Sequence, residues 1–168
     1  FINKGDEVAG NDNLIGGYED NVPKEACFYP FDCRSEQIKT ILNDFKPDLL
    51  IHTAATAYEG LSVFSPSFVT SNIYEASVSV FSSAIASGVS KIINCSSMAR
   101  YGEIQFPFRE DMTPCPKDPY GIAKYAAEQT LECLANVHDI DFVTLVPHNI
   151  IGPRQKYDDP YRNVASIM

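Results

Sequence analysis

Three short runs, DLLIHTAA (48–55), KIINCSS (91–97) and DFVTLVPHNII (141–151), are apolar on both of their faces. A half-exposed strand alternates apolar and polar residues, whereas a continuous apolar run of this length suits a strand of a covered parallel sheet. Helical patterns separate the runs. Ile38, Ile41, Leu42 and Phe45 recur at i, i+3, i+4 and i+7, and Val69, Ile73, Ala76, Val80 and Ala84 line one face of residues 66–87. Gly88 stops the second helix, and a third spans about 119–136. Briefer strands at 8–10 and 27–30 come first. The order β–β–α–β–α–β–α–β, with crossovers long enough for parallel pairing, specifies a doubly wound α/β sheet with helices on both faces.

The 168 residues make one domain with room for a core, at 45% hydrophobic and 21% charged. No apolar run is long enough to span a membrane as a helix. A net charge of −9 argues against nucleic acid as a partner, although helix N-termini can still hold an anionic ligand. Five cysteines form no CxxC pair and are odd in number, which reads as reduced, mostly buried thiols of a cytoplasmic protein. His52, His138 and His148 are too scattered for a metal site. Both ends read as cut: FINKGDEV is a helix tail running into a strand, and DPYRNVASIM opens a helix. Residues 1–150 form the parallel-sheet domain, and 151–168 begin a second lobe.

Ligands of open parallel sheets sit beyond the carboxyl ends of the strands. Asp12, in NDNL after the first strand, can accept from both hydroxyls of an adenosine ribose and would repel a 2′-phosphate; a solvated turn residue is equally compatible. Asp32 in FDCR can accept from an adenine amino group or cap the next helix. HTAAT (52–56) ends in small residues that allow close approach to a ligand, while His52 suits a hydrogen-bonded core role. Ser97 follows the fourth strand, and Tyr120 and Lys124 share a face of the helix after it. Tyrosine's ordinary pKa of about 10 must fall by roughly 3 to give a base near neutrality, about 4 kcal/mol. An ammonium four residues along favours the phenolate, and a nicotinamide cation would add to it. Tyr125 points away from that face and suits core packing.

NDNL, FDCR, HTAA, Asn72, SSMARYG (96–102), PYGIAK (119–124) and PHNIIGPRQ (147–155) together resemble the extended short-chain dehydrogenase/reductase family. Within it the chain is similar to the nucleotide-sugar epimerases and dehydratases. The resemblance implies a Rossmann-type fold, NAD as cofactor, and Ser97, Tyr120 and Lys124 as the catalytic set. It further implies cofactor contacts from Asp12 and Asn13 (adenosine ribose), Asp32 and Cys33 (adenine), Ala54, Ala55 and Thr56 (pyrophosphate and nicotinamide ribose), Asn72 (a structural and proton-relay asparagine) and Pro147 (nicotinamide). Ser97, Met98, Tyr120, Asn149 and Arg154 fall where the substrate binds, a surface salt bridge being equally compatible with Arg154. The family's glycine-rich loop and first strand belong before Phe1, and without them weak NAD binding is expected.

The activity implied is 4-epimerisation of a nucleotide sugar, a UDP-hexose, through a transient 4-keto sugar, by a homodimer paired through helices 66–87 and 119–136. Related dehydratases place an Asp-Glu pair directly after the catalytic hydroxyl residue. Met98 and Ala99 stand there instead, and neither moves a proton. A reductase or dehydrogenase, a dehydratase on the same scaffold, and a non-catalytic sugar-nucleotide or NAD sensor remain the alternatives.

Overall fold

The computed structural model describes residues 1–103 and 106–158. Its elements follow the expected order. They are β1 (Ala9–Asn11), β2 (Cys27–Tyr29), α1 (Gln37–Phe45), β3 (Leu49–His52), α2 (Glu59–Ser62), α3 (Pro66–Thr70), α4 (Ala76–Ala86), β4 (Lys91–Cys95), α5 (Pro119–His138) and β5 (Asp141–Leu145). The short α2 has no counterpart in the sequence reading. Strands pair in parallel, β1 with β2, and β3 with β4 with β5. The sheet is therefore interrupted between β1 and β3. In the doubly wound order a first strand stands between the second and fourth, and the interruption falls at that place. The second-lobe expectation rests partly on residues 159–168, which lie outside the described residues.

Each helix buries the stripe its period defined. Ile38 and Leu42 of α1, Val80, Phe81 and Ala84 of α4, and Ala127 and Leu131 of α5 meet Ile92 of β4 in one cluster. These three helices thus cover a single face of the three-stranded sheet. On the opposite face Ile51 and Val143 pair in register with Ile93 and remain 44% exposed, and Leu145 is 51% exposed. Helices on both faces were expected; among the described residues the second face is uncovered, so these runs are apolar on both sides but buried on one.

The helix expected over 66–87 is interrupted by a π-helical turn at Ser71–Glu75. A π turn inserts one residue and leaves a carbonyl to be satisfied otherwise. Asn72 Nδ2 donates to Phe68 O at 2.8 Å. Helix α5 starts sharply: Asp118 caps it by accepting from Gly121 N at 2.9 Å, and Pro119 supplies the preset φ of the first turn. All five cysteines are free, but Cys27, Cys115 and Cys133 are exposed and only Cys33 and Cys95 partly buried. The mostly-buried expectation fails because these three lie on strand, loop and helix surfaces that turn away from the core.

Candidate functional site

A cleft of about 990 Å³ runs along the carboxyl ends of the strands. At one end stand Asp12 and Asn13 after β1, with Asp32 and Cys33 after β2. Ala54, Ala55 and Thr56 after β3 and Asn72 of the π turn line its middle, and Ser97, Met98, Tyr120, Lys124, Pro147 and Asn149 its other end. The structure thus brings together every sequence-predicted site residue but Arg154. That residue lines a separate cleft with Asn21 and Gln155, and its carbonyl accepts from Asn21 Nδ2 at 3.0 Å.

The acids near the first two strands differ in state. Asp12 is exposed and lines the cleft; its Oδ1 closes a turn by accepting from Leu14 N at 2.6 Å. Asp32 is gripped by Arg34, whose Nε and Nη2 lie 2.9 and 2.5 Å from its two oxygens. The Arg34 hydrogen bond holds the Asp32 carboxyl down at about 2. Asp32 does not cap α1, whose N-cap is Glu36; it closes a local turn through Arg34 N. Burial pushes the Cys33 thiol up to about 11, and Cys33 both lines the cleft and packs against the core beneath it. Asn11, which the sequence reading missed, ties the strand ends together by donating to Tyr29 O and Phe31 O at 2.8 and 2.9 Å.

At the other end Ser97 caps a 3-10 turn (Met98–Tyr101), its Oγ accepting from Ala99 N at 3.2 Å. Gly121 lets α5 approach that turn closely: a Cβ there would lie 2.7 Å from Ala99 O. The approach seats Tyr120, 8% exposed, against Ala99, Val69 and Ile73. Burial raises the Tyr120 phenol above its ordinary value, and the main opposing influence is a hydrogen bond with Ser97 rather than the Lys124 ammonium. Lys124 Nζ instead donates to Cys95 O at 2.8 Å, and burial brings it down to about 8. Carboxylates of Glu59 and Asp118 add to the upward push on Tyr120. Burial thus sets the direction for Tyr120 by itself, and the expectation of a lowered phenol rested on Lys124 acting together with a nicotinamide cation.

Three further residues escaped the sequence reading. Glu59 lines the cleft from α2, and burial, then Asp118, raises its carboxyl. Glu128 and Arg100 form a buried pair behind Lys124. Glu128 follows Lys124 by four residues on the same helix face, a spacing that was there to be read. Among the non-participants, His52 is 5% exposed, hydrogen-bonds Ser77 Oγ at 2.9 Å and meets Phe81 edge-on. Tyr125 is half-buried rather than in the core, with the Arg100 guanidinium 5.4 Å from its ring centroid.

A cleft at the carboxyl ends of parallel strands, lined by Asp12 and Asp32 after the first two strands and by Ser97, Tyr120 and Lys124 after the fourth, is that of a Rossmann-type α/β protein. The comparisons agree. The NAD dependent epimerase/dehydratase family matches residues 1–168, and the chain belongs to that family. The UDP-glucose 4-epimerase of Mycolicibacterium smegmatis is 31% identical over 97% of this chain and 53% of its own length. Among solved structures, the UDP-glucose 4-epimerase of Thermotoga maritima with UDP-glucose superposes with a TM-score of 0.94 at 32% identity, covering 99% of this chain and 55% of that one. That of Thermus thermophilus in complex with NAD gives 0.89 at 31%, covering 99% and 53%. The chain spans about half the length of these relatives.

Proposed function

We propose that the protein carrying this chain is an NAD-dependent 4-epimerase of a nucleotide sugar, a UDP-hexose, with Ser97, Tyr120 and Lys124 as its catalytic residues. The observation that carries the reading is the meeting of Ser97 and Tyr120 above the Lys124 ammonium, with Met98 and Ala99 in the two positions after Ser97. The cleft fits the cofactor on this chain's own chemistry. Asp12 offers a carboxylate to ribose hydroxyls and disfavours a ribose phosphate, Ala54 and Ala55 leave room for close approach, and Lys124 stands ready for the nicotinamide ribose. Bound there, NAD supplies a hydride acceptor that gives back what it takes.

Tyr120 takes the proton from the sugar's 4-hydroxyl, which Ser97 orients. Rotation of the resulting 4-keto sugar presents its other face, and Tyr120 returns the proton when the carbinol re-forms. The ionised phenolate must be reached against burial, so Ser97, Lys124 and a cationic nicotinamide act in the same direction on it. Arg154 lines the neighbouring cleft, which shares Ile150 and Gln155 with the main one, and that adjacency is what supports a substrate role for it. Phe68, Tyr74 and Ile122 leave apolar surface exposed on the helices assigned to a homodimer contact, which supports pairing with a second copy. Five free cysteines without a CxxC pair support a cytoplasmic protein, and no helix of the described residues is long and apolar enough to cross a membrane.

Glu59 favours a second reading. Its carboxyl lies in the cleft with a raised pKa, near enough to Tyr120 to act on it, and so offers an acid that the Met98–Ala99 pair does not. Elimination of water by a dehydratase is the reaction it would serve. The test is the complete protein incubated with NAD and UDP-glucose, UDP-N-acetylglucosamine or UDP-glucuronate, with products separated by chromatography. An epimeric sugar formed without net change of NAD, and lost by a factor of about 10² or more in Tyr120→Phe, is expected. A dehydrated 4-keto product establishes the second reading, and unaltered turnover in Tyr120→Phe sinks both.

A further inference from the structure

Behind Ser97, Tyr120 and Lys124 lies a buried polar layer that the proposed chemistry does not use. Glu128, 7% exposed, stands one turn after Lys124 on α5. Its Oε1 accepts from Ser96 Oγ, and its Oε2 from Arg100 Nη1. Ser96 immediately precedes Ser97, and Arg100 lies in the 3-10 turn that follows it. One carboxylate therefore grips the chain on both sides of Ser97. Lys124, from the same helix, reaches the same strand end at Cys95 O. Arg100 is held in turn near the rings of Tyr101 and Tyr125, 5.2 and 5.4 Å from their centroids. A buried ion pair gives little net stability over an apolar pair of the same volume. Stability alone thus supplies no reason for this one to sit here.

We propose that Glu128, clamped by Arg100 and Ser96, is a positioning residue for the catalytic set: it fixes the Ser96–Ser97 strand end against α5 and sets a carboxylate one turn from Lys124 on the same helix face. The inference rests on the roles proposed above for Ser97, Tyr120 and Lys124. Among the described residues, the titratable and charged groups facing Lys124 are Cys95 at the end of β4, His52 from β3 and Glu128 on α5, with Arg100 paired to Glu128. His52 does not compete, because burial pushes its pKa down to about 3 and leaves it neutral. Burial draws Lys124 down to about 8, and Cys95 and Glu128 both pull the other way. Burial pushes Glu128 up, and Ser96, Arg100 and Lys124 oppose that rise without cancelling it. Arg100 favours the charged form of Glu128, and a charged Glu128 favours the ammonium of Lys124.

The experiment is competitive acetylation of Lys124 in the complete protein, read by mass spectrometry between about pH 6 and 10, beside the pH profile of kcat/KM. Glu128→Gln alone leaves Arg100 buried without its partner, so the decisive variant is Glu128→Gln with Arg100→Met, which removes both charges at similar volume. Its Lys124 labelling midpoint is expected to fall from the parent's by about 1 pH unit or more, and the high-pH limb of kcat/KM to move down with it. Arg100→Lys, which keeps the cation, is expected to hold the midpoint near the parent's. A folded double variant with an unmoved midpoint overturns the inference, whatever its thermal stability. Because labelling reads Lys124 directly, a protein that turned over no nucleotide sugar would sink the proposed function and leave this measurement standing.

Discussion

Replacing Gly121 by alanine sets two physical effects of opposite sign against each other. Helix propensity favours alanine over glycine by about 0.5–1 kcal/mol, since glycine loses more backbone freedom on folding. Contact opposes it. The new Cβ would stand 2.7 Å from Ala99 O, 3.1 Å from Ala99 C and 3.2 Å from Pro116 Cβ. Two of these three atoms are backbone and cannot rotate away, so either the 3-10 turn or the start of α5 must move. Overpacking of this kind costs about 1–3 kcal/mol, which leaves a net loss of up to roughly 2.5 kcal/mol after the propensity gain. The displacement falls between Ser97, which caps that turn, and Tyr120, which precedes Gly121. Urea unfolding followed by circular dichroism measures the stability, and initial rates of the complete protein report the geometry. A lower midpoint together with reduced kcat is expected. If Gly121→Ala instead stabilises the protein by the full propensity gain with kcat unchanged, the close approach does not constrain this helix.

Asp118→Ala removes the cap from Gly121 N and is expected to cost about 0.5–2 kcal/mol, seen as a lower urea midpoint; Asp118→Asn, which can still accept, should recover most of it. Stability should also fall as the pH drops below the ordinary histidine value of 6.5 toward about 3, because His52 is held neutral by burial in the folded state while the unfolded chain takes up the proton. In His52→Gln that part of the acid slope is expected to disappear from denaturation curves measured across this window, and an unchanged slope would assign it to other groups.

The order of elements was legible because each strand and helix carries its own period, and period is a local property. The position of the site followed from topology: parallel strands put their carboxyl ends on one edge, so NDNL, FDCR, HTAA and SSMARYG had to converge there. What stayed illegible depends on distances between elements. Arg154 was a candidate by its place in PHNIIGPRQ, but the chain carries it into a neighbouring cleft. Glu59 carried no signal in its local sequence, and only α2 brings it to the cleft.

The apolar runs and helical periods by themselves determined a parallel α/β sheet, and YGIAK by itself put a tyrosine and a lysine on one helix face. Only the tertiary structure decided the ionisation of that pair. Burial of Tyr120 raises its pKa, and Lys124 spends its ammonium on Cys95 O while Glu128 stands behind it. Desolvation depends on everything packed around a group, including Val69 and Ile73 from a helix some 50 residues earlier in the chain. A spacing of four residues fixes which side chains share a face; the charge they carry is set by the atoms that exclude water from them.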